Sequence, residues 1–569
     1  MNLAPAHSRT ARQAISIRQT VKSPRARSAG EVFLLVIAAV APYLLTLKSY
    51  FLGDDFGFIG LFHDQPLAHF LSLFANEWTN GIFGEQTDEV RPLTGLSYRI
   101  DALLGPTNPV GYHASNIAEH AACTLLVYAM VNLTAPHRPG IAFSAALLFA
   151  VLPVHSEAVS WISGRADTIS TLVFLVTLVT YMVYRLRKQR RWYTLSLIFF
   201  LLALFAKESS IVVPLLIIGY DVLLSQPRER PIRSFINDAW LYMPYALMSL
   251  AYLALRWYVL GDALRESRLS VNLLQGFLAR QRHYLWALLL PDDPFVFPKV
   301  AGGILSIVIL VVAIASLLGF VLILKERESR GRNFRLLLYF GPLWYVVSVL
   351  PLIVTYFSPR HLYFASVGSS IALPLLWLIP ARRSLRQVAI TVVLLVLLLA
   401  MHTVELYRAN SVWRAASAVS EKIARDFERA GALLPDSSRV VLTVPPGIYD
   451  TVLWAWALPY VFEEPFSSAD LYTRLEIVDH PYSYCCRTLW AHNRLGLLEK
   501  WVSDPGGSEI HVLYWNDGGG GRLENWRLTI TPDIAEQVSL LRRLLDIGDD
   551  RRVYGEMLDL FSMLSSNAR

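Results

Sequence analysis

Cysteine is almost missing from this chain, with 3 in 569 residues. Cys123 sits inside an apolar run, and Cys485 and Cys486 are neighbours that could bridge only through a strained ring. A disulfide framework is therefore excluded, and no zinc-type spacing occurs. Charge is scarce as well: 17% of residues, where a soluble domain carries about 25%. No A-x-A-like cleavage site follows the first apolar run, which reads as a retained span and not a signal peptide. The tail shows no internal period of the tetratricopeptide kind.

What the chain has instead is hydrophobicity, 54% of residues with a mean hydropathy of +0.40. Apolar runs of about 20 residues recur between basic clusters, the pattern of a polytopic membrane protein. The formal charge of +7 does not point to nucleic acid. Its basic residues gather at 9–27, 185–191, 228–233, 325–335 and 382–386, each beside a hydrophobic run, as the positive-inside rule requires.

The expected spans are 31–52, 111–135, 140–157, 167–185, 192–206, 210–225, 239–260, 303–325, 335–357, 361–380 and 387–406, about eleven in all. With a basic, cytoplasmic tail at 1–30, an odd number of spans leaves everything after about residue 406 outside. The expected fold is mainly α: a membrane helix bundle at 31–406, followed by a small extracytoplasmic α/β domain at 407–569. In that tail, 413–431 reads as an amphipathic linker helix. Stretches 439–444, 510–515 and 526–530 read as strands, and 451–462, 491–502 and 532–545 as helices. Two long external loops, 53–110 and 261–302, carry amphipathic stretches at 67–78 and 273–290 that suit helices in the membrane interface, with Trp78 at headgroup level, or equally ordinary loop helices packed on the bundle.

Gly53-Asp54-Asp55-Phe56 follows the first apolar run. An acid at the edge of hydrocarbon is costly to desolvate and so suggests function, although Gly-Asp-Asp also ends helices. The same external face collects Arg91-Pro92-Leu93, then His113, Asn116 and His120 on one helix face. It also collects Pro153-Val154-His155-Ser156-Glu157, Gly164-Arg165-Ala166-Asp167, Ala206-Lys207-Glu208-Ser209 and Pro359-Arg360-His361-Leu362-Tyr363. Each has a bland reading: histidines bonded between helices, Arg165 with Asp167 or Lys207 with Glu208 as structural pairs. Together they place ionisable groups from at least five loops on one surface. A transporter would instead show polar groups at mid-depth in several spans.

A site facing outward cannot draw on cytoplasmic nucleotide sugars, so its donor should be a sugar on a polyprenyl phosphate lying in the bilayer. Displacement at the anomeric carbon needs a carboxylate to take the acceptor proton and cations to hold the leaving phosphate. Asp55 or Asp54 suits the base. Arg360 and Arg165, with Lys207 and Arg91, suit the phosphate, arginine being shaped for bidentate contact. His155, Glu157, His113 and Asp167 are candidates for the sugar or acceptor. One base and direct displacement imply inversion. A divalent ion on Asp54, Asp55, His155 and Glu157 stays an open alternative. A flippase for lipid-linked sugars, or a ligase or polymerase of lipid-linked glycans, are the competing functions.

These motifs in this order resemble the GT-C membrane glycosyltransferases, most closely the transmembrane O-mannosyltransferases that modify cadherins and their bacterial relatives. The resemblance rests on Asp54-Asp55; Arg91-Pro92-Leu93-Thr94; Asn108-Pro109-Val110-Gly111-Tyr112-His113 with Asn116 and His120; Pro153 through Val159; Gly164-Arg165-Ala166-Asp167; Lys207-Glu208; and Arg360-His361-Leu362-Tyr363 before Ser366-Val367-Gly368. It implies a dolichyl- or polyprenyl-phosphate sugar donor and an external-loop aspartate as base. It also implies about eleven spans. Apart from the resemblance, the expected acceptor is a protein or an envelope glycan and the expected membrane the bacterial inner membrane. Leu152 stands where the family usually has histidine, and Pro359 where it has glutamate; with no tetratricopeptide repeats, acceptor choice does not carry over.

Overall fold

The computed structural model describes residues 29–79, 89–136, 138–225, 231–263, 271–290, 330–355, 358–381, 384–434, 458–467 and 531–547, with shorter pieces at 311, 314–321, 323, 439–443, 447–448, 451–452, 475–477, 495–496, 499–500, 502–503, 510–516, 522–527, 552, 556 and 560. The protein is a mainly α membrane helix bundle. Among the described residues five helices are long and apolar enough to cross a bilayer: Pro109–Thr134, Ile162–Arg187, Glu208–Ser225, Gly331–Val354 and Leu385–Ala432. A sixth crossing would be the pair Pro139–Ala150 and Pro153–Ser160, bent by 50°.

Proline sets where many of these helices begin. Pro92, Pro109, Pro139 and Pro153 each occupy a first position, where the missing N–H costs nothing. At Pro109 the side chain of Asn108 adds a cap, accepting from the Val110 amide at 3.2 Å. Proline also breaks the first expected span. The helix Ala29–Val40 passes into a short 3-10 turn, Ala41–Tyr43, containing Pro42, and is not helical to residue 52 as expected. The bend at 151–152 likewise turns His155 and Glu157 out of the span expected at 140–157. The expected spans 192–206 and 239–260 form the helices Arg190–Ala206 and Pro231–Leu260. Span 303–325 and the tail 1–28 lie mostly outside the described residues.

Helices in lipid gain little from hydrophobicity and associate through close packing and polar bonds. Pro139–Ala150 shows both. Its Ala142, Ala145 and Ala146 are fully buried, letting Pro109–Thr134 and Ala365–Ala381 approach its backbone. Elsewhere Tyr245 donates to Ser196 at 2.7 Å, and Ser196 donates to the Thr177 carbonyl at 2.8 Å, tying three helices. At the opposite end of this bundle Arg185 pairs with Asp221 at 2.9 Å and Asp238 at 2.8 Å.

The helix Leu385–Ala432 is 48 residues long. It joins the last expected span to the linker helix expected at 413–431, so the boundary expected at 407 falls within one continuous element. Its C-terminal half buries Ala416, Ile423, Ala424 and Phe427 in a cluster with Phe51, Phe56, Phe58 and Phe62. Trp78 belongs to that cluster too, stacked on Phe58 at 4.6 Å and only 2% exposed. The headgroup position expected for it is therefore corrected: a ring with such neighbours is worth more inside than at the interface. The stretch expected at 67–78 keeps its helix only over Leu67–Ser72, whereas that at 273–290 forms Val271–Leu289.

Beyond the long helix, strand Arg439–Thr443 pairs in parallel with Leu475–Ile477 and Ile510–Asn516, and the last pairs antiparallel with Arg522–Arg527. The helix expected at 532–545 is Pro532–Asp546, capped by Thr531. The stretch expected as a helix at 451–462 instead holds the strand Thr451–Val452 and the turn Leu458–Phe462. The helix expected at 491–502, the glycine run 518–521, Cys485 and Cys486 lie wholly or mostly outside the described residues.

Candidate active site

Gly53 has φ +53, a left-handed turn that suits glycine and leads the chain from the irregular stretch 44–52 into the helix Asp55–Phe62. Asp54 stands at the cap position of that helix, yet its side chain caps nothing. Its half-buried carboxylate has no hydrogen bond or ion pair among the described residues. Burial pushes it up from its ordinary 3.8 to about 6, with Arg360 opposing and Glu89 adding to the rise.

Asp55 is the opposite case. It is 1% exposed and accepts from the Leu52 amide at 2.9 Å, the Ser163 amide at 2.8 Å and the Ser163 hydroxyl at 2.5 Å. Burial nevertheless pushes it up to about 7, the Ser163 and Leu52 bonds opposing. Asp55 thus fastens its own loop to the turn that precedes Arg165. Two neighbouring carboxylates have been given different work by their surroundings.

That turn is tight because Gly164 lies against backbone: an added Cβ would stand 2.6 Å from the Glu157 carbonyl and 2.8 Å from that of Ala158. Arg165 then enters the interior with no exposed surface. It pairs with Asp101 at 2.6 Å, donates to the Tyr112 carbonyl at 3.2 Å, and lies over the Tyr98 ring at 4.4 Å. Its guanidinium is used to join three elements and offers no surface to a ligand.

The remaining cations form a chain of charge. Arg91 binds Glu208 at 2.7 Å and Glu89 at 2.8 Å. Burial works against its charge, but Glu208 and Glu89 outweigh it and hold the guanidinium above its ordinary range. Lys207 binds Asp167 at 2.5 Å; burial holds its ammonium below the ordinary lysine range, Asp167 opposing. Arg360 reaches Asp167 at 3.7 Å and binds Glu157 more closely. It also lies over the Trp161 ring at 4.9 Å, and that ring stacks on Trp413 of the long helix at 6.1 Å.

The three histidine candidates are inside the bundle. His113 bonds the Ser49 carbonyl at 3.1 Å, His120 bonds the Tyr363 hydroxyl at 2.8 Å, and His155 bonds Ser366 at 2.7 Å. His113 is 2% exposed and the other two not at all. Among the described residues no three His, Cys, Asp or Glu side chains converge on a metal position. Of the possible ligand set Asp54, Asp55, His155 and Glu157, Asp55 is bonded to Ser163, His155 to Ser366 and Glu157 to Arg360.

The structure therefore brings Arg360, Glu157, Asp167 and Lys207 together, with Asp54 within electrostatic range of Arg360, sets the Arg91–Glu208 pair next along that chain of charge, and buries Arg165, His113 and His155 inside the bundle. Sequence reasoning did not find Ser163, Asp101, Trp161 or Asn410. Asn410 accepts from Ser156 at 2.7 Å and Ser160 at 2.9 Å and donates to the Pro42 carbonyl at 2.9 Å, locking the long helix to the site loop. A signal existed: Leu406, Ala409, Asn410, Ala416, Ser417 and Ser420 fall at helical spacing on one face.

No family model matches the chain. It is similar to the mouse protein O-mannosyl-transferase TMTC1, 38% identical over 153 residues, which is 26% of this chain and 16% of that protein. It is also similar to Drosophila melanogaster Tmtc1, 34% identical over 193 residues (33% and 22%), and human TMTC3, 30% identical over 208 residues (36% and 22%). The matched segments span about a fifth of those relatives' own length. Among solved structures it is similar to an Archaeoglobus fulgidus oligosaccharyltransferase in complex with zinc and sulfate. That match has 11% identity and a TM-score of 0.48, covering 85% of this chain and 68% of the other. It is likewise similar to Cupriavidus metallidurans ArnT bound to undecaprenyl phosphate, with 11% identity and a TM-score of 0.43, covering 85% and 94%. Over the matched quarter to third of its length the chain thus resembles protein O-mannosyl-transferases, as its motifs led one to expect.

Proposed function

We propose that this integral membrane protein is an inverting glycosyltransferase that moves a sugar from a polyprenyl-phosphate donor to an acceptor hydroxyl outside the cytoplasm. The acceptor is a protein serine or threonine or an envelope glycan. Asp54 takes the acceptor proton; Arg360, helped by Lys207 and Arg91, balances charge on the departing lipid phosphate. Asp55 and Arg165 position this machinery, Glu157 and Asp167 border it, and His113 and His155 hold the helices behind it. The basic N-terminal tail lies in the cytoplasm, the site and the region after the long helix lie outside, and the membrane is the bacterial inner membrane.

One observation carries the reading: Asp54 is a carboxylate without a partner among the described residues, raised to about 6, within electrostatic reach of Arg360. A base must be ionised at working pH yet basic enough to accept a proton, and a value near neutrality meets both needs. A purely structural aspartate at a helix cap would have been bonded to the helix amides. The similarity to O-mannosyltransferases supports the sugar-transfer chemistry over transport.

The deciding experiment incubates the purified protein in detergent with a radiolabelled polyprenyl-phosphate sugar and acceptor. Covalent, Asp54-dependent transfer of label is expected. Movement of the lipid across proteoliposomes without any transfer would make the protein a flippase and overturn the reading.

A further inference from the structure

Glu157 occupies an arrangement of donors better suited to a phosphate than to a carboxylate of the same chain. Its Oε1 accepts from the Arg360 guanidinium and from the Ser358 hydroxyl at 2.6 Å. Its Oε2 accepts from the Arg360 amide at 3.3 Å. The guanidinium is further steadied by the Ser358 oxygen at 3.1 Å, by Asp167 and by the Trp161 face. Arg360 and Glu157 are 13% and 15% exposed, so the pair sits where a ligand can reach it. Two anionic oxygens shared among a guanidinium, a hydroxyl and an amide are the contacts that two non-bridging oxygens of a phosphate would make.

We infer that the Glu157 carboxylate is an internal stand-in for the substrate phosphate: it fills the Arg360–Ser358 cradle in the empty enzyme and must be displaced by the lipid phosphate. This rests on the glycosyltransferase reading and adds to it a means of product release. The donor is a phosphodiester carrying one negative charge. After the sugar leaves, the phosphate monoester carries up to two and would bind the cradle more strongly. The return of Glu157 to Arg360 competes with that phosphate and expels it. Glu157 itself is held in reach by its neighbours, since Ser156 and Ser160 are bonded to Asn410.

Affinity for undecaprenyl phosphate and for inorganic phosphate is measured on the full chain in detergent, comparing wild type with Glu157→Gln and Glu157→Asp. Removing the competitor should lower the Kd of Glu157→Gln for undecaprenyl phosphate about tenfold, with product inhibition rising in parallel. Glu157→Asp, which keeps the charge but shortens its reach, should fall between and carries the test if the glutamine variant does not fold. A parallel gain for inorganic phosphate means that the headgroup chemistry alone is recognised; a gain for the lipid only means that the chain is also needed. A structural role cannot yield this result, because loosening a loop weakens a ligand and does not tighten it. Unchanged or weaker undecaprenyl-phosphate binding in a folded variant overturns the inference while leaving Asp54-dependent transfer intact. Failure of wild type and both variants to bind either phosphate overturns the donor assignment itself.

Discussion

Replacing Asp54 by asparagine separates chemistry from architecture. The substitution removes a charge and almost no volume, and no hydrogen bond among the described residues is lost with it. A general base contributes about 10²–10⁴-fold to rate, so kcat should fall by that factor. Stability should move the other way. A carboxyl raised from 3.8 to about 6 costs up to about 3 kcal/mol to ionise in the folded protein. Half-burial and solvent screening reduce this to about 1 kcal/mol. Such a raised group helps the fold while protonated, fully so below about pH 4, and that help is lost as pH rises through about 6. The melting temperature of the wild-type protein in detergent should therefore decline between about pH 4 and pH 7, the window set by the ordinary and the raised value. The decline should be smaller in Asp54→Asn, which at pH 8 should melt at or above wild type. Transfer of label, normalised to folded protein, supplies the rate. Undiminished transfer would refute the base assignment, and a large loss of stability at pH 8 would show that Asp54 has a structural bond.

Asp55→Asn should show the reverse balance: loss of bonds from Ser163 and Leu52 lowers stability by about 1–3 kcal/mol, read as a fall in melting temperature, with activity lost only in step with folding. In wild type, kcat/KM should rise with pH along a limb near 6 as Asp54 ionises, and a flat profile from pH 5 to 8 would remove it. Arg165→Met leaves Asp101 buried without its cation and should destabilise by about 3–5 kcal/mol, seen as poor recovery of monodisperse protein, whereas Arg360→Met should fold normally and lose donor binding. Gly164→Ala would drive a Cβ into the carbonyls of Glu157 and Ala158 and should abolish transfer by shifting that loop, which normal activity would contradict.

The helix bundle was legible because lipid makes composition decisive: apolar length and flanking basic clusters both act locally. The bends were less legible, since Pro42 and the break at 151–152 matter only once neighbours decide whether the chain continues. The site motifs were readable as a set, but their roles were not. Asp54 and Asp55 are the same residue type side by side, and only Ser163, 108 residues from Asp55, makes one a fastener and leaves the other unbonded. Arg165 and Arg360 look equally fit for phosphate in sequence. Burial beneath Tyr98 and Asp101 withdraws the first, and nothing local encodes that burial. Trp78 had the composition of an interfacial anchor but found Phe58 and Phe62.

The 48-residue helix imposes a rotational phase on the protein. One end is rooted among hydrocarbon-facing residues and the other supports Phe51 through Ser420, so any added or deleted residue between Thr403 and Ser420 acts like a slipped gear tooth. One inserted alanine would turn the C-terminal half by about 100° and point Ser420 and Phe427 away from the aromatic cluster that seats Asp55. Seven would restore the facing while lifting that half by about 10 Å. Along that stretch spacing is thus held more tightly than the identity of the outward-facing residues.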